Sequence, residues 1–394
     1  MRHDLPLPTP ARAGSLPDCT HKLRPGSAET DMTGSTQRRP WKQGFEIELM
    51  APQGLSRRDL AERIAQRVGG RVKTVFYPQS EPSLVPGMPV FENLVLGYEA
   101  LDAAGERVAL CVDDLTLRDG LNPLAAPLPG WMRILSDDAR LLALVTEHCD
   151  PDADLANVLA PVAALFGTEL DHAEGGIAKV VDRAARSIAM VAPLPGERER
   201  PCEIITPPYE ADPETALTAL LADAAALGFT VPKEAAVHIH FDAGPLCDAS
   251  IVSRLVETLH RNGVHLRDLV GTNPACVRLG PIADEIVKRV RSEAFRSADW
   301  DKARQMLVDT KPTKYADFNF LNIAHALPGK HTVEARIFPG SMDAAEILRN
   351  ARLMEAILVR AMDGDAAQSD TDLIASLELS STDRAFWTAR MIKG

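Results

Sequence analysis

The sequence predicts an α+β fold: one sheet with an apolar back packed on helices and a free face that carries the chemistry. Four segments alternate apolar and polar residues with period two, and the stretches between them repeat apolar residues at helical spacing. In Thr332 to Gly340, Val333, Ala335 and Ile337 point one way, and Glu334 and Arg336 point the other. Gly44 to Met50 buries Phe45, Ile47 and Leu49 and leaves Glu46 and Glu48 on the other face, with Cα atoms roughly 7 Å apart. Ala236 to Asp242 groups His238, His240 and Asp242 in the same way, and the shorter Cys202 to Pro208 sets Glu203 opposite Ile204. One sheet face would then be lined with carboxylates, imidazoles and an arginine.

The remaining elements follow in chain order. Residues 1 to about 40 hold six prolines and no apolar period, which predicts a disordered leader, with Met32 a second candidate start. Arg38-Arg39 reads as two solvated arginines, because no apolar segment of the export type follows. Ser56 caps a helix that carries Leu60, Ile64 and Val68 and stops at Gly69-Gly70. Strands are predicted over Arg71 to Tyr77, Asn93 to Ala100 and Arg107 to Val112, the last two joined by a turn at Asp102 to Gly105.

A helical insertion is predicted over about 131–186, with helices from Ser136 to His148 and Leu155 to Phe166. The strand Ser187 to Val191 is read as the first arm of an antiparallel hairpin that delivers Glu203, and Pro207-Pro208 ends the second arm. Helices follow over Asp212 to Leu227, Asp248 to Asn262 and Pro281 to Ser292, which places a helical segment at about 243–310. A last helix from Asp343 to Met362 presents an apolar stripe suited to the back of the sheet. Residues 41–394 are thus read as a single domain.

Composition excludes several classes. The formal charge of −12 argues against a nucleic-acid-binding surface. The mean hydropathy of −0.09 and the lack of an apolar span predict a protein that does not enter a membrane. The six cysteines show no CxxC pair, which points to free thiols, a cytoplasmic location and no zinc ribbon. Neutral imidazole and carboxylate are ligands of Mg²⁺, Mn²⁺ and Zn²⁺, and a face with Glu46, Glu48, Glu203 and Glu334 needs cations to be stable.

In their order, GFEIE, CEIITPP, AVHIHFD and TVEARIFPGSMD resemble the motifs of the amidoligase family, carboxylate-amine ligases related to glutamine synthetase and glutamate-cysteine ligase. The resemblance spans about Gly44 to Met362. It implies the glutamine-synthetase-like catalytic fold, a curved antiparallel sheet forming a funnel with helices behind it. It also implies an ATP- and Mg²⁺-dependent reaction, Mn²⁺ being the alternative metal, that joins a small-molecule or peptide carboxylate to an amine through an acyl phosphate.

By the same resemblance Glu46, Glu48, Glu203, His238 and Glu334 hold the divalent metals. His240 contacts the nucleotide phosphates, and Arg336 contacts the transferring phosphate. Lys314 is a candidate catalytic cation, and Asn319 and Asn322 are candidate nucleotide contacts, because they occupy the place of the arginine-rich phosphate segment of glutamine synthetase. Asp114 matches the acid of the family's DgSl segment, but Leu115 and Thr116 replace its Gly and Ser. A metal-dependent hydrolase with the same His and Glu set is the alternative, and a non-catalytic binding protein a second. Oligomeric state is left open.

Overall fold

The computed structural model describes residues 41–82, 90–210, 213–276, 278–327, 329–364 and 373–392, so the leader expected over 1–40 lies outside the described residues. The strand holding Glu46 and Glu48 is β1 (Gln43–Met50), and α1 (Arg57–Arg67) follows it. Ser56 caps α1 together with Asp59, whose carboxylate accepts the Ser56 backbone N–H at 2.8 Å. Three strands come next, β2 (Arg71–Pro82), β3 (Val90–Leu101) and β4 (Arg107–Val112). The turn between β3 and β4 is held by Asp102, whose Oδ1 accepts from the N–H groups of Ala104 and Glu106.

The next stretch corrects one expectation. Residues 131–186 are not a helical insertion, because beside α2 (Ala139–His148) and α3 (Ala160–Leu165) they form β5 (Met132–Ser136), β6 (Leu170–Ala173) and β7 (Ile177–Val181). Gly175 and Gly176, both at positive φ, turn β6 back onto β7, which short polar segments concealed in the sequence. A second correction concerns the hairpin expected to deliver Glu203. β8 (Ser187–Pro193) pairs with β5 and β7, whereas β9 (Pro201–Ile205) pairs with β1 and β4. The loop between them draws the chain across to the other arm of the sheet. Its Arg200 donates to the carbonyls of Ala51 and Gly120, and its Arg198 to those of Leu117 and Asp114.

The chain continues through α4 (Pro213–Ala226), β10 (Ala236–Asp242) and α5 (Ala249–Val270). α5 runs past Asn262 and Gly263, where a stop was expected, because Leu259, Leu266, Leu269 and Val270 keep one buried face going until Gly271. Three short helices, α6 (Asp284–Arg291), α7 (Glu293–Arg296) and α8 (Trp300–Val308), precede β11 (Phe318–Asn319), and α9 (Leu321–His325) follows it. Then come β12 (Thr332–Pro339), α10 (Ala344–Asp363), α11 (Leu373–Ser376) and α12 (Ser381–Met391).

All strands join one antiparallel sheet in the order β11-β12-β10-β1-β9-β4-β3-β5-β8-β7-β6, with β2 on the other edge of β3. The sheet forks at β3, whose second edge is shared by β4 and β5. It also curls strongly. Tyr77 on β2 and Thr332 on β12 line one cavity, although five strands separate their own. The apolar face of β1, β10 and β12 merges into one core with α1, α4, α5 and α10, so the opposite face is left for polar side chains.

Backbone approach is tight where α1 turns into β2. A Cβ on Gly70 would lie 1.9 Å from the carbonyl oxygen of Leu101. Gly70→Ala is therefore expected to cost at least about 2 kcal/mol, seen as a lower urea midpoint with an unchanged m-value.

Candidate active site

Register brings the polar residues of four strands into one row. Glu48 pairs directly with Glu203, Glu46 with His238, and His240 with Glu334. Directly opposed residues on neighbouring strands project from the same face, so the period-two reading of each strand converges here. A bulge in β12 sets two residues, Arg336 and Ile337, against the single His238, and the Arg336 N–H leaves the ladder to donate to the Asp317 carbonyl at 2.9 Å.

His238 stands at the centre. Its Nδ1 lies 3.2 Å from Glu46 Oε2 and 3.7 Å from Glu334 Oε1, and its Nε2 lies 3.5 Å from Glu48 Oε1. His240 Nε2 is 3.0 Å from Glu46 Oε1, and its Nδ1 is 3.0 Å from the Thr332 hydroxyl. Two groups able to hold a cation result, Glu46–His238–Glu334 and Glu48–Glu203–His238, all buried. The five ligand residues read from the sequence are thus brought together, and His238 is shared.

The cluster divides two cavities. A large one of about 520 Å³ opens on the Glu46 and His240 side, with Lys42, Lys330 and His331 among apolar residues such as Leu110 and Ile205. A small one of about 60 Å³ opens on the Glu48 side and is lined by Asp114, Arg278 and Arg336.

A family model described as "Putative amidoligase enzyme" matches residues 39–358. The chain belongs to the amidoligase family. Neither the curated proteins nor the solved structures hold a significant match to it. The family is one of amide-bond-forming ligases, and the electrostatics of this amidoligase's site show what its row of acids requires.

Glu334 is the best neutralised acid: Arg336 Nη1 lies 2.5 Å from it and Asn319 Nδ2 donates at 2.8 Å. Although burial opposes ionisation, the Arg336 guanidinium above all brings Glu334 down to about 2. Glu46 is likewise held well below the usual carboxylate range, against burial, by His240 and Lys330, whose ammonium lies 2.9 Å away. Glu48 and Glu203 go the other way. Burial pushes both well above the usual range, and neighbouring carboxylates, Asp114 foremost for Glu48 and Glu46 foremost for Glu203, push them further. Burial and the nearby Arg336 charge lower His238, so its imidazole is neutral and has one N–H to give to the carboxylates on its two sides.

The side chains read as nucleotide contacts have other partners in the fold. Asn319 holds Glu334, and Asn322 donates to the Thr332 hydroxyl at 3.2 Å, behind His240. Lys314 lies by the Tyr315 ring, 5.5 Å from its centroid, and is lowered by burial and by the charges of Arg278 and Arg336.

The paired aspartates after β4 divide their duties. Asp113 is buried and bound by Arg198, while Asp114 turns into the site, its Oδ1 accepting from the Thr116 N–H and hydroxyl, both at 2.6 Å. Thr116 in place of serine thus retains the hydroxyl that orients the acid. Sequence reading missed Tyr77, Arg278 and Lys330. Only the position of Lys330, four residues before Glu334 in the loop entering β12, hinted at a role.

Proposed function

We propose that this amidoligase is an ATP- and Mg²⁺-dependent carboxylate-amine ligase, with Mn²⁺ as an alternative metal, on a glutamine-synthetase-like fold. The observation that carries the reading is the pair of cation-binding groups sharing His238 at the junction of a large and a small cavity. Four buried glutamates with one imidazole form a donor set suited to a hard divalent ion. The neutral His238 imidazole has carboxylates beside both ring nitrogens; its N–H satisfies one side, and a cation between the other nitrogen and its carboxylates would reconcile the second. Glu46 and Glu334 would hold one metal and Glu48 and Glu203 the other, with His238, whose neutral ring has a single lone pair, a ligand to one of the two.

A carboxylate resists attack by an amine until it is activated, and phosphorylation by ATP provides an acyl phosphate. The large cavity suits the nucleotide, with Lys330, His240 and Lys42 facing its phosphates and apolar walls facing its base. The small cavity suits the reacting carboxylate, which Arg278 and Arg336 would orient. Arg336 would then offset charge on the transferring phosphoryl group, with Lys314 adding to the positive field. Asp114 faces the same cavity without a metal-binding duty of its own, so it is placed to take the proton that the amine loses on attack. The bound metals would neutralise phosphate charge during transfer.

The substrates are read as a small-molecule or peptide carboxylate and amine, and the location as cytoplasmic. Among the described residues no helix is long and apolar enough to cross a membrane.

The test is Mg²⁺-dependent phosphate release from ATP across pooled carboxylates and amines, with Glu334→Gln as control. Release that needs both substrates and vanishes in the variant supports the ligase. No release and no ATP binding would remove it in favour of a metal-dependent hydrolase. Asn319→Ala leaves every proposed ligand in place but frees the Glu334 carboxylate, so turnover should fall about 10- to 100-fold while the apparent Mg²⁺ requirement rises. A loss of turnover with unchanged Mg²⁺ dependence would count against that positioning role.

A further inference from the structure

Among the described residues, two basic side chains offset the acids of the Glu46–His238–Glu334 group, and they are held differently. Arg336 is part of β12, its side chain is 13% exposed, and Glu334 binds it from two residues away on the same strand. Lys330 reaches in from the turn between α9 and β12. Its side chain is 49% exposed, and its ammonium lies 2.9 Å from Glu46 Oε1, its one ion-pair partner among the described residues. The turn is fixed through its backbone, with Ala326 and Gly329 at positive φ and the Lys330 N–H donating to the Leu327 carbonyl at 3.2 Å, so the side chain can leave Glu46 without unmaking it. Lys330 also lines the large cavity. Anionic phosphates there would offer its ammonium a second partner. A divalent ion arriving at Glu46 would meet that ammonium as a like charge.

We propose that Lys330 is a positioning residue that neutralises Glu46 in the unliganded protein and moves onto the nucleotide phosphates when metal binds. Metal and nucleotide are then coupled through one side chain, because each favours the state in which Lys330 has left Glu46. Arg336, buried on its strand, has no such freedom. The inference rests on Glu46 being a metal ligand, and it goes beyond that reading by naming what holds the acid before metal does and what the metal must displace.

The full chain would be titrated with MnCl₂, alone and with the non-hydrolysable analogue β,γ-imido-ATP, and free Mn²⁺ would be counted by electron paramagnetic resonance. Mn²⁺ alone should bind Lys330→Met about five- to ten-fold more tightly than the parent, because no ammonium has to be displaced. The gain that the analogue brings should shrink in the variant by a similar factor. Lys42→Met removes a charge from the same cavity, but one that pairs with Glu210, so it should change Mn²⁺ affinity less than about two-fold. Lys330→Met should also lower the melting temperature of the metal-free protein, since Glu46 is left buried without its cation, and saturating Mn²⁺ should remove the difference. The proposal is overturned if Lys330→Met binds Mn²⁺ as the parent does or more weakly, or if Lys42→Met reproduces the gain, which would make it a general effect of cavity charge. Absence of Mn²⁺ binding from both parent and Lys330→Met, with or without the analogue, would instead remove the metal reading on which it rests.

Discussion

Glu203→Gln is expected to make the metal-free protein more heat-stable at pH 8 while lowering turnover by about 10²- to 10³-fold. The two effects share one cause. Glu203 faces Glu48 across the β1–β9 ladder, and burial together with Glu46, Asp114 and Glu48 holds its carboxyl well above the usual range. An ionised Glu203 is thus a burden to the fold until a cation arrives, and glutamine keeps the shape without the charge. The stabilisation should shrink as pH falls, because the raised carboxyl of the parent's Glu203 takes up its proton before an ordinary carboxylate does. Glu334→Gln should behave oppositely: it removes the partner of Arg336 and Asn319, so it lowers both stability and turnover. Equal melting shifts of the same sign in the two variants would refute this division of the site, and differential scanning calorimetry with a turnover assay decides it.

Divalent cations are expected to raise the melting temperature more at pH 8 than at pH 5.5. Glu48 and Glu203 have raised pKa values in the folded state, so in the metal-free protein their contribution is favourable below the ordinary carboxylate range and is lost as pH rises through the folded values. Glu46 and Glu334 are lowered, so theirs is present above the ordinary range and is lost only as pH falls, toward about 2 for Glu334. Metal binding needs Glu48 and Glu203 deprotonated and is weakened wherever they hold protons. At 100-fold excess over the dissociation constant, Mg²⁺ should add about 2.7 kcal/mol, or roughly 3 °C in a chain of this size. A Mg²⁺ shift that is independent of pH, or larger at pH 5.5, would show that these two acids do not hold the metal.

What was legible in the sequence rests on local periodicity. Alternation in β1, β9, β10 and β12 placed Glu46, Glu48, Glu203, His238, His240, Glu334 and Arg336 on polar faces, and the structure gathers all seven. A strand's two faces are set by its own residues, so no partner is needed to read them. Helix starts at Ser56 and Asp343 were equally local, since the capping side chain adjoins the first turn, and the helix expected from Ser136 begins two residues later with Asp138 as its cap.

Which strands become neighbours is a long-range matter. The sequence alone suggested a hairpin of β8 with β9, but Arg198 and Arg200 tie the connecting loop to residues more than seventy positions earlier. Lys330 and Tyr77 reach the carboxylates only because loop and sheet curl around them, and Asp114 could be separated from Asp113 only once Arg198 had claimed the latter. Asn319 and Asn322 have the same origin, because a buried amide is used by whichever acceptor packing brings to it. The sequence by itself thus determined which side chains face the site. The tertiary structure decided which of them meet, since register, curvature and hydrogen-bond partners arise from pairings between segments far apart in the chain.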